Sequence, residues 1–563
     1  MNEILTQELR NFFLFSTDHL LIFTEISFWI FYTLVYAIFT VIHKQYNLKN
    51  LFLFLVSIFF YYKTSGFFFL LLLFTIGNEF AVAQFIHNSQ NELKRKALLI
   101  YSVVINLGLL SFFKYAYFFT DSYNQIFHTD NKVFNFFAHW SNGFIGTHFD
   151  IDNILLPVGI SFYTFHTLSY TIDVYRRKMP AVKNFYDFGF YVSFFPVLLA
   201  GPIVKAKDFI PQIRTPFNLN KYQFGLAVFM ILNGLFKKMV VGDYIAVNFI
   251  DRIFGNPLLF SGVENLLAVI GYSLQVYLDF SGYTDIAIGI SMLMGYRIKT
   301  TFNSPYKATH VGEFWKRWHI SLSTWLQEYL YIPLGGNRRG SIASYVIIAV
   351  LSVFIALMLD ATWILWVVGS IAFVLLVLSF VSEKVKHAVN TNINLMITML
   401  LGGLWHGATL NFIIWGGLNG FGLVVSKFWR KISPYEKIKT LPVHFWKVLI
   451  TFSFITFTRI YFRAEDMNQA NEVIGKISDD LNFGILPEIL INFKEVFLLM
   501  ALAFIIHWLP SSTKWQYRKL FIKSPVWAKV ALTILTVIFI YQTMASEMKP
   551  FIYFQFKGLL NRN

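Results

Sequence analysis

Residues 309–340 read THVGEFWKRWHISLSTWLQEYLYIPLGGNRRG, the densest mixture of polar, basic and aromatic residues in an otherwise apolar chain. Four of these residues recur at spacings of four, three and four, and so share one face of a predicted helix: Trp315, His319, Leu322 and Leu326. The other side carries Lys316, Arg317 and Thr324. Because adjacent cations and Glu313 are costly in hydrocarbon, the pattern predicts a helix lying at the membrane boundary.

The end of this stretch predicts a basic turn. Pro333 and the pair Gly335-Gly336 interrupt the helix. The turn that follows consists of Asn337, Arg338, Arg339 and Gly340. Cations and backbone N–H groups presented together suit a phosphate-bearing ligand. For any single cation here, anchoring on the cytoplasmic side of a membrane is the alternative.

The composition predicts a polytopic all-α membrane protein. Of the 563 residues, 56% are hydrophobic, 19% are aromatic and only 14% are charged, whereas about a quarter of a soluble domain is charged. The net charge of +16 does not indicate nucleic-acid binding, because the cations lie in short segments between apolar runs. The absence of cysteine excludes disulfides, thiolate catalysis and cysteine-ligated metals. The N-terminus lacks a signal-peptide pattern, so we expect the first helix to direct insertion.

Apolar stretches recur along the whole chain: 23–42, 51–62, 66–86, 97–119, 154–175, 188–204, 222–250, 265–294, 341–359, 361–382, 391–426, 445–458, 496–513 and 530–546. Since a span needs about 20 residues, we expect about eleven to thirteen crossings plus re-entrant segments. One integral domain, 1–563, is the economical interpretation. Its motif-bearing core covers about 155–430, and its C-terminal helices about 443–563.

Charge bias predicts the orientation. Three basic segments mark one side of the membrane: 43–49, 94–96 and 176–178. The positive-inside rule places them in the cytoplasm, together with the His319 helix, the Arg338-Arg339 turn, 427–439 and 514–523. The acidic segments 120–153 and 459–492, and the N-terminus, are then external.

His406 is the second candidate functional residue. It lies within 391–426, a run without a single Asp, Glu, Lys or Arg. A lone histidine on a membrane helix is often a structural hydrogen bonder, but ionisable groups at membrane depth usually face a cavity. Gly402, Gly403 and Gly407 allow backbone or ligand to approach closely, which favours a lined tunnel.

Two histidines suit acyl transfer, because an imidazole titrates near neutrality and can take a proton from an attacking hydroxyl. The rival chemistry is a metal site formed by His310, His319 and His406. Neither cysteine nor HExxH-type spacing supports a metal, so we predict none.

Three further groups of polar residues are candidates. Asp279 and Asp285, in YLDFSGYTDIAIG (277–289), either cap a helix or pair with Arg297 or Lys299, or they line the same cavity and orient a histidine. Pro157 and Gly159 predict a broken helix, with Asp173 a minor candidate. Lys205 and Lys207, after a similar break at 200–203, are either solvated or ligand contacts.

Together with residues 314–340, four stretches carry a family resemblance: YLDFSGYTDIAIG (277–289), LLPVGISFYTFHTLSYTIDVYR (155–176), GLWHGATLNFIIWG (403–416) and PFIYFQF (550–556). They closely resemble the membrane-bound O-acyltransferase (MBOAT) family, in particular its bacterial branch of alginate and peptidoglycan O-acetyltransferases. The resemblance implies helices around a central tunnel, with His406 as the principal catalytic residue and His319 as its partner. We expect supporting or tunnel-lining roles for Asp279, Asp285, Tyr283, Ser281, Trp405, Asn411, Trp315 and Trp318, and donor contacts from Lys316, Arg317, Asn337, Arg338 and Arg339.

The same resemblance implies the reaction. An acyl group, most simply acetyl, passes from a cytoplasmic thioester (acetyl-CoA or an acyl-carrier thioester, with no bound cofactor) to an extracytoplasmic polysaccharide. An SGNH-type extracytoplasmic partner and the bacterial inner membrane are expected. Two alternatives stay open: D-alanyl transfer to teichoic acid from a carrier protein, and a non-enzymatic acyl or glycan transporter. The family's teichoic-acid enzymes are shorter, so the segments 120–153 and 459–492 favour the polysaccharide branch and could dock a partner or glycan. A third interpretation is a protein that assembles a secretion complex.

Overall fold

The computed structural model describes residues 13–16, 20–145 and 150–543. These residues form helices and connecting turns without a β-strand, which confirms the predicted all-α class. The predictions made on residues 1–12 and on the motif at 550–556 lie outside the described residues.

The first half of the chain contains α1 Ile26–Ile42, α2 Tyr46–Ser65, α3 Phe69–Asn88, α4 Glu92–Phe127, α5 Phe136–Ile145, α6 Ile160–Tyr175, α7 Phe185–Ser193, α8 Phe195–Leu198, α9 Ala206–Ile213, α10 Lys221–Leu235, α11 Asp243–Ile245, α12 Asp251–Gly255 and α13 Gly262–Leu293. Two π-helical segments, Phe236–Gly242 and Ala246–Ile250, flank α11.

The second half contains α14 Val311–Arg317, α15 Ile320–Leu326, α16 Ile342–Met358, α17 Trp363–Val381, α18 Glu383–His406, α19 Leu410–Ile432, α20 Leu441–Arg463, α21 Met467–Asp479, α22 Leu486–Asn492, α23 Lys494–Trp508, α24 Ser511–Lys523 and α25 Val526–Thr543. A third π-helical segment, Gln327–Tyr331, follows α15.

Several helices are long and apolar enough to cross a membrane, which confirms a multi-pass protein. In the described part of the chain there are five: Tyr46–Asn88, Glu92–Phe127, Lys221–Gly255, Leu410–Ile432 and Leu441–Arg463. Two sharply bent pairs, α22 with α23 at 96° and α24 with α25 at 113°, raise the number to seven if each pair is one span. This is fewer than the eleven to thirteen crossings predicted.

Some of the apolar stretches are buried within the protein. All but two of the 16 residues of α6 are buried. The stretch 188–204 breaks at Phe194, which separates α7 from α8. An apolar stretch indicates that a segment is shielded from water, but it does not indicate whether protein or lipid shields it.

The central helix is α13. It begins at a capping box, in which Ser261 accepts from the Glu264 backbone and the Glu264 side chain accepts from the Ser261 N–H. It runs for 32 residues with no exposed position. Helix α10 packs against it backbone to backbone, since a Cβ on Gly234 would lie 2.5 Å from the carbonyl oxygen of Gly282.

A hydrogen bond and an ion pair join two of the basic segments that charge bias placed on one side of the membrane, 94–96 and 176–178. Arg95 donates to the carbonyl oxygen of Tyr175 at 2.6 Å, and Arg177 pairs with Glu92 at 2.8 Å. Lys49, in the basic segment 43–49, lies 5.8 Å from the ring centroid of Tyr296, just after the C-terminal end of α13. At the N-terminal end of α13, the Gly262 N–H donates to the carbonyl oxygen of Asp480, in the acidic segment 459–492. The segments 43–49 and 459–492 therefore lie at different ends of α13, while the direction across the membrane stays a prediction.

Candidate active site

A tight helical hairpin positions His406. Helix α18 ends at His406, three residues connect the helices, and α19 begins at Leu410. A Cβ on Gly403 would lie 2.2 Å from the carbonyl oxygen of Phe412 and 3.0 Å from the Cα of Gly416. The absence of side chains at Gly403 and Gly416 therefore lets the two backbones touch, which is the close backbone approach that the sequence predicted for Gly403. The lined tunnel stays a prediction. His406 lies buried at the tip.

His319 lies at a break in the chain, so the prediction of one continuous helix through it is wrong. Helix α14 ends at Arg317 and α15 begins at Ile320, with His319 between them in the left-handed region at φ 43°. Distant backbone groups replace the missing helical bonds. The Asn303 N–H donates to the Arg317 carbonyl oxygen at 2.9 Å, and the Ile320 N–H donates to that of Thr301 at 2.8 Å.

The structure brings the two histidines to one indole ring. The ring centroid of Trp405 lies 6.1 Å from that of His319 and 4.9 Å from that of His406. The centroids of the two imidazoles are therefore no more than about 11 Å apart. Further ring contacts join them in one aromatic cluster, which consists of Trp405, His319, His406, Phe302, Trp315, Trp318, Trp415 and Phe462. The Nε2 of the fully buried His319 has no hydrogen-bond partner among the described residues.

Two cations beside the histidines were missed by sequence reasoning. Lys114, on α4, donates to the backbone carbonyl oxygen of Trp405 and contacts the Ser161 hydroxyl at 3.3 Å. Arg459, on α20, is 1% exposed, and its guanidinium lies 4.4 Å from the ring centroid of Trp318. Each is a single charge in or next to an apolar stretch, and that was the available signal. The positive-inside argument had instead placed residue 459 at the start of an external segment.

Comparison with known proteins supplies the family. Residues 80–381 match the membrane-bound O-acyltransferase family. The chain belongs to this family. The match spans over half of the chain and includes His319 but not His406.

Three relatives of this MBOAT protein are informative. A probable alginate O-acetylase AlgI of Pseudomonas syringae pv. tomato is 36% identical over 385 residues, 67% of this chain and 60% of the relative. A peptidoglycan O-acetyltransferase of Helicobacter pylori is 32% identical over 451 residues, 76% of this chain and 73% of the relative. A teichoic acid D-alanyltransferase of Bacillus subtilis is 26% identical over 340 residues, 58% of this chain and 72% of the relative. The matched part thus spans about 60% of the alginate relative.

The two carboxylates of α13 in this MBOAT protein form ion pairs. Asp279 pairs with Lys238 at 2.5 Å, and Asp285 pairs with Lys237 at 2.8 Å. The ion-pair interpretation was right in kind but wrong in partner, because Lys299 instead pairs with Asp208. Lys237 and Lys238 are adjacent in sequence on the π-helical segment Phe236–Gly242, and they reach the two carboxylates across the interface with α13. Their role in orienting a histidine stays a prediction.

The other predicted supporting residues lie at different distances from the histidines. Trp318 and Trp315 belong to the aromatic cluster. The ring centroid of Trp315 lies 5.7 Å from that of Trp415, and the Trp415 centroid lies 5.1 Å from that of His406. Asn411, near the hairpin tip, donates to the carbonyl oxygen of Ala464 at 3.0 Å. Two others are buried on α13: Ser281, and Tyr283, which stacks on Phe23 at 4.6 Å.

His310 lies at the N-terminus of α14, where its ring accepts from the Glu313 N–H at 3.1 Å. A capping role accounts for this residue. Within the residues that the structure describes, no three of His, Asp or Glu are grouped to hold a metal ion.

The predicted donor-binding cations differ in whether a ligand can reach them and in whether a carboxylate already pairs with them. Lys316, Arg338 and Arg339 are exposed, as is Asn337, which accepts from the Tyr331 hydroxyl at 2.6 Å. Arg317 instead donates through Nε and Nη2 to Glu313, at 2.9 and 2.7 Å. Its guanidinium is thus already engaged by a carboxylate.

Glu313 is strongly acidic and lies outside the candidate spans. Burial alone would raise its pKa, but hydrogen bonds from Thr309 and the Arg317 guanidinium outweigh burial and lower the pKa to about 2. Thr309 also lines a cleft of about 340 Å³ with Glu436, Ile438, Lys439, Leu441, His444 and Lys447.

The minor candidates gather at the π-helical segment Gln327–Tyr331. Tyr329 donates to Asp173 at 2.9 Å, and Lys205 pairs with Glu328 at 2.7 Å. Lys207 approaches the same carboxylate at 3.4 Å. Internal partners therefore account for these three residues.

Proposed function

We propose that this MBOAT protein transfers an acetyl group from a cytoplasmic thioester toward hydroxyls of an envelope polysaccharide. The alginate and peptidoglycan relatives, at 36% and 32% identity, are both named for O-acetylation. The D-alanyltransferase relative is more distant, at 26%. The observation that carries the proposal is the shared contact of two buried imidazoles, His319 and His406, with Trp405.

In the proposed step His406 acts as general base or transient acyl-handling group. It takes the proton of an acceptor hydroxyl as that oxygen attacks the thioester carbonyl carbon. The C–S bond then breaks and the proton passes to the departing thiolate, so an ester and a thiol replace a thioester and an alcohol. His319 orients the reacting groups. The acceptor is the glycan itself or an SGNH-type extracytoplasmic partner that passes the acetyl group on.

The exposed cations Lys316, Arg338 and Arg339 would attract the phosphates of coenzyme A or of a phosphopantetheine arm. In this proposal they face the cytoplasm of a bacterial inner membrane. The segments 120–153 and 459–492 would meet the partner or glycan outside.

The test replaces His406 by Ala and by Gln in cells lacking the native gene, with His87→Ala, an exposed histidine of α3, as the matched control. Ester-linked acetate on envelope glycans is measured by mass analysis, and membrane insertion by immunoblot. We expect both His406 variants to insert normally and to lose at least about 100-fold of the esters. Wild-type ester levels in an inserted His406→Ala protein would refute the assignment.

A second measurement separates transfer from transport. Purified protein in vesicles is supplied with labelled acetyl-CoA or an acetylated carrier protein, and free thiol release is followed. A transferase consumes the thioester and requires His406. A transporter consumes none and tolerates the loss of one imidazole. A D-alanyl carrier as the sole active donor would favour the teichoic-acid alternative.

A further inference from the structure

Arg459 is an ionised group buried within the aromatic cluster. Its guanidinium carbon lies 4.4 Å from the ring centroid of Trp318, 5.2 Å from that of Phe462 and 5.9 Å from that of Trp415. A buried guanidinium is costly unless its N–H groups are satisfied. The rings compensate part of the charge through cation–π contact, but they accept no conventional hydrogen bond.

Among the residues that the structure describes, none provides an acceptor for one edge of this guanidinium. Within the described residues, Nε and Nη2 of Arg459 have no hydrogen-bond partner, although the Tyr306 hydroxyl interacts with the group. The corresponding edge of Arg317 is paired: its Nε and Nη2 both donate to one carboxylate oxygen of Glu313. Two converging N–H donors fit an anionic oxygen.

The guanidinium of Arg459 belongs to the same aromatic cluster as both histidines. The centroid of Phe462 lies 5.2 Å from the His406 ring and 5.2 Å from the Arg459 guanidinium, which places the two groups within about 10 Å. Trp318, the ring under the guanidinium, directly precedes His319.

Resting on the proposed function, we propose that Arg459 donates Nε–H and Nη2–H to the carbonyl oxygen of the acyl group during transfer. As the acceptor oxygen bonds to the carbonyl carbon, the π electron pair moves onto that oxygen, and Arg459 stabilises the negative charge without giving up a proton. On collapse the pair returns, the C–S bond breaks and the thiolate leaves. Donors aimed at charge that exists only in the transition state raise kcat rather than substrate affinity.

The experiment compares Arg459→Lys and Arg459→Gln with Arg463→Lys. Arg463 lies four residues further along α20 and pairs with Asp251 at 2.8 Å, so it tests the helix without touching the cluster. Thioester turnover gives kcat and KM in detergent, and a thermal scan gives the unfolding midpoint. We expect kcat to fall about 100- to 1,000-fold in both Arg459 variants, with an unchanged KM for the donor and an unchanged midpoint. Arg463→Lys should match the wild type.

A further measurement is diagnostic of the guanidinium itself. In Arg459→Ala, added guanidinium salt should restore part of kcat, and it should do nothing for His406→Ala. A raised KM with unchanged kcat would overturn the proposal in favour of a standing anion such as a donor phosphate. A lowered unfolding midpoint in both the Lys and Gln variants would also overturn it, in favour of a structural role. A wild-type protein without thioester turnover would defeat the proposed function instead.

Discussion

The Nζ of Lys114 donates a hydrogen bond to the backbone carbonyl oxygen of Trp405, so a lysine of α4 holds the end of α18 one residue before His406. Carbonyl groups in the last turn of a helix lack intrahelical partners, and the negative end of the helix dipole attracts a cation there. Tyr115, the next residue of α4, donates to the carbonyl oxygen of Leu404 at 2.8 Å. Helix α4 thus fixes the backbone that carries His406.

This relationship predicts that Lys114→Met lowers kcat by about 10- to 100-fold, since small displacements of a reacting group cost that much. Removing a buried charge offsets the lost hydrogen bond, so the unfolding midpoint should change little. Thioester turnover and a thermal scan measure the two quantities. Lys96→Met, an exposed lysine of the same helix, is the control. Full activity of Lys114→Met would show that the Trp405 backbone needs no anchor.

Gly403→Ala should destabilise the hairpin that carries His406. The added methyl would lie 2.2 Å from a backbone oxygen, which cannot rotate away, so the helices must separate at a cost of about 1–3 kcal/mol. Gly417→Ala is the control, because its methyl would meet only the flexible side chain of Leu400, at 3.3 Å. Denaturant titration in detergent measures both free energies of unfolding. Equal stabilities of the two variants would contradict the close backbone contact.

Lys238→Met should be among the most destabilising single changes. Lys238 pairs with Asp243 at 2.7 Å and with Asp279 at 2.5 Å, and its loss would leave two buried carboxylates without their cation. The expected decrease in the free energy of unfolding is about 3–5 kcal/mol. Lys299→Met, which breaks the exposed pair with Asp208, should cost less than about 1 kcal/mol. Similar losses in both variants would show that burial of the first pair is energetically unimportant.

The lowered pKa of Glu313 predicts that this residue makes a pH-dependent contribution to the stability of the fold. Its pKa is lowered to about 2 from an ordinary value of 4.5, so the folded state holds its proton less tightly than the unfolded state. The stabilisation is therefore complete above the ordinary pKa and is lost as the pH falls toward 2.

The measurement is the difference in unfolding midpoint between the wild type and Glu313→Gln, followed from neutral pH downward. This difference should stay constant above about pH 4.5 and shrink below it. His87→Ala reports the background pH response. A difference that is independent of pH throughout would contradict the ion pair with Arg317.

The sequence by itself determined the class of protein and the family, and it predicted a site at the two histidines. The fraction of apolar residues decides whether a chain is stable in a bilayer. A motif such as RWHIS or WHG consists of consecutive residues, so it can be recognised without the tertiary structure. The helical spacing around His319 was misleading, because backbone bonds from Thr301 and Asn303 replace the helical ones at that point.

Only the tertiary structure decided which charges surround those histidines. Lys114 is 291 positions from the carbonyl it binds, and Arg459 meets Trp318 from another helix. Hydropathy records that each residue is charged, but its partner depends on how helices distant in sequence pack together. The same reason explains why Asp279 pairs with Lys238: the attraction acts across an interface that exists only after α13 and its neighbour have come into contact.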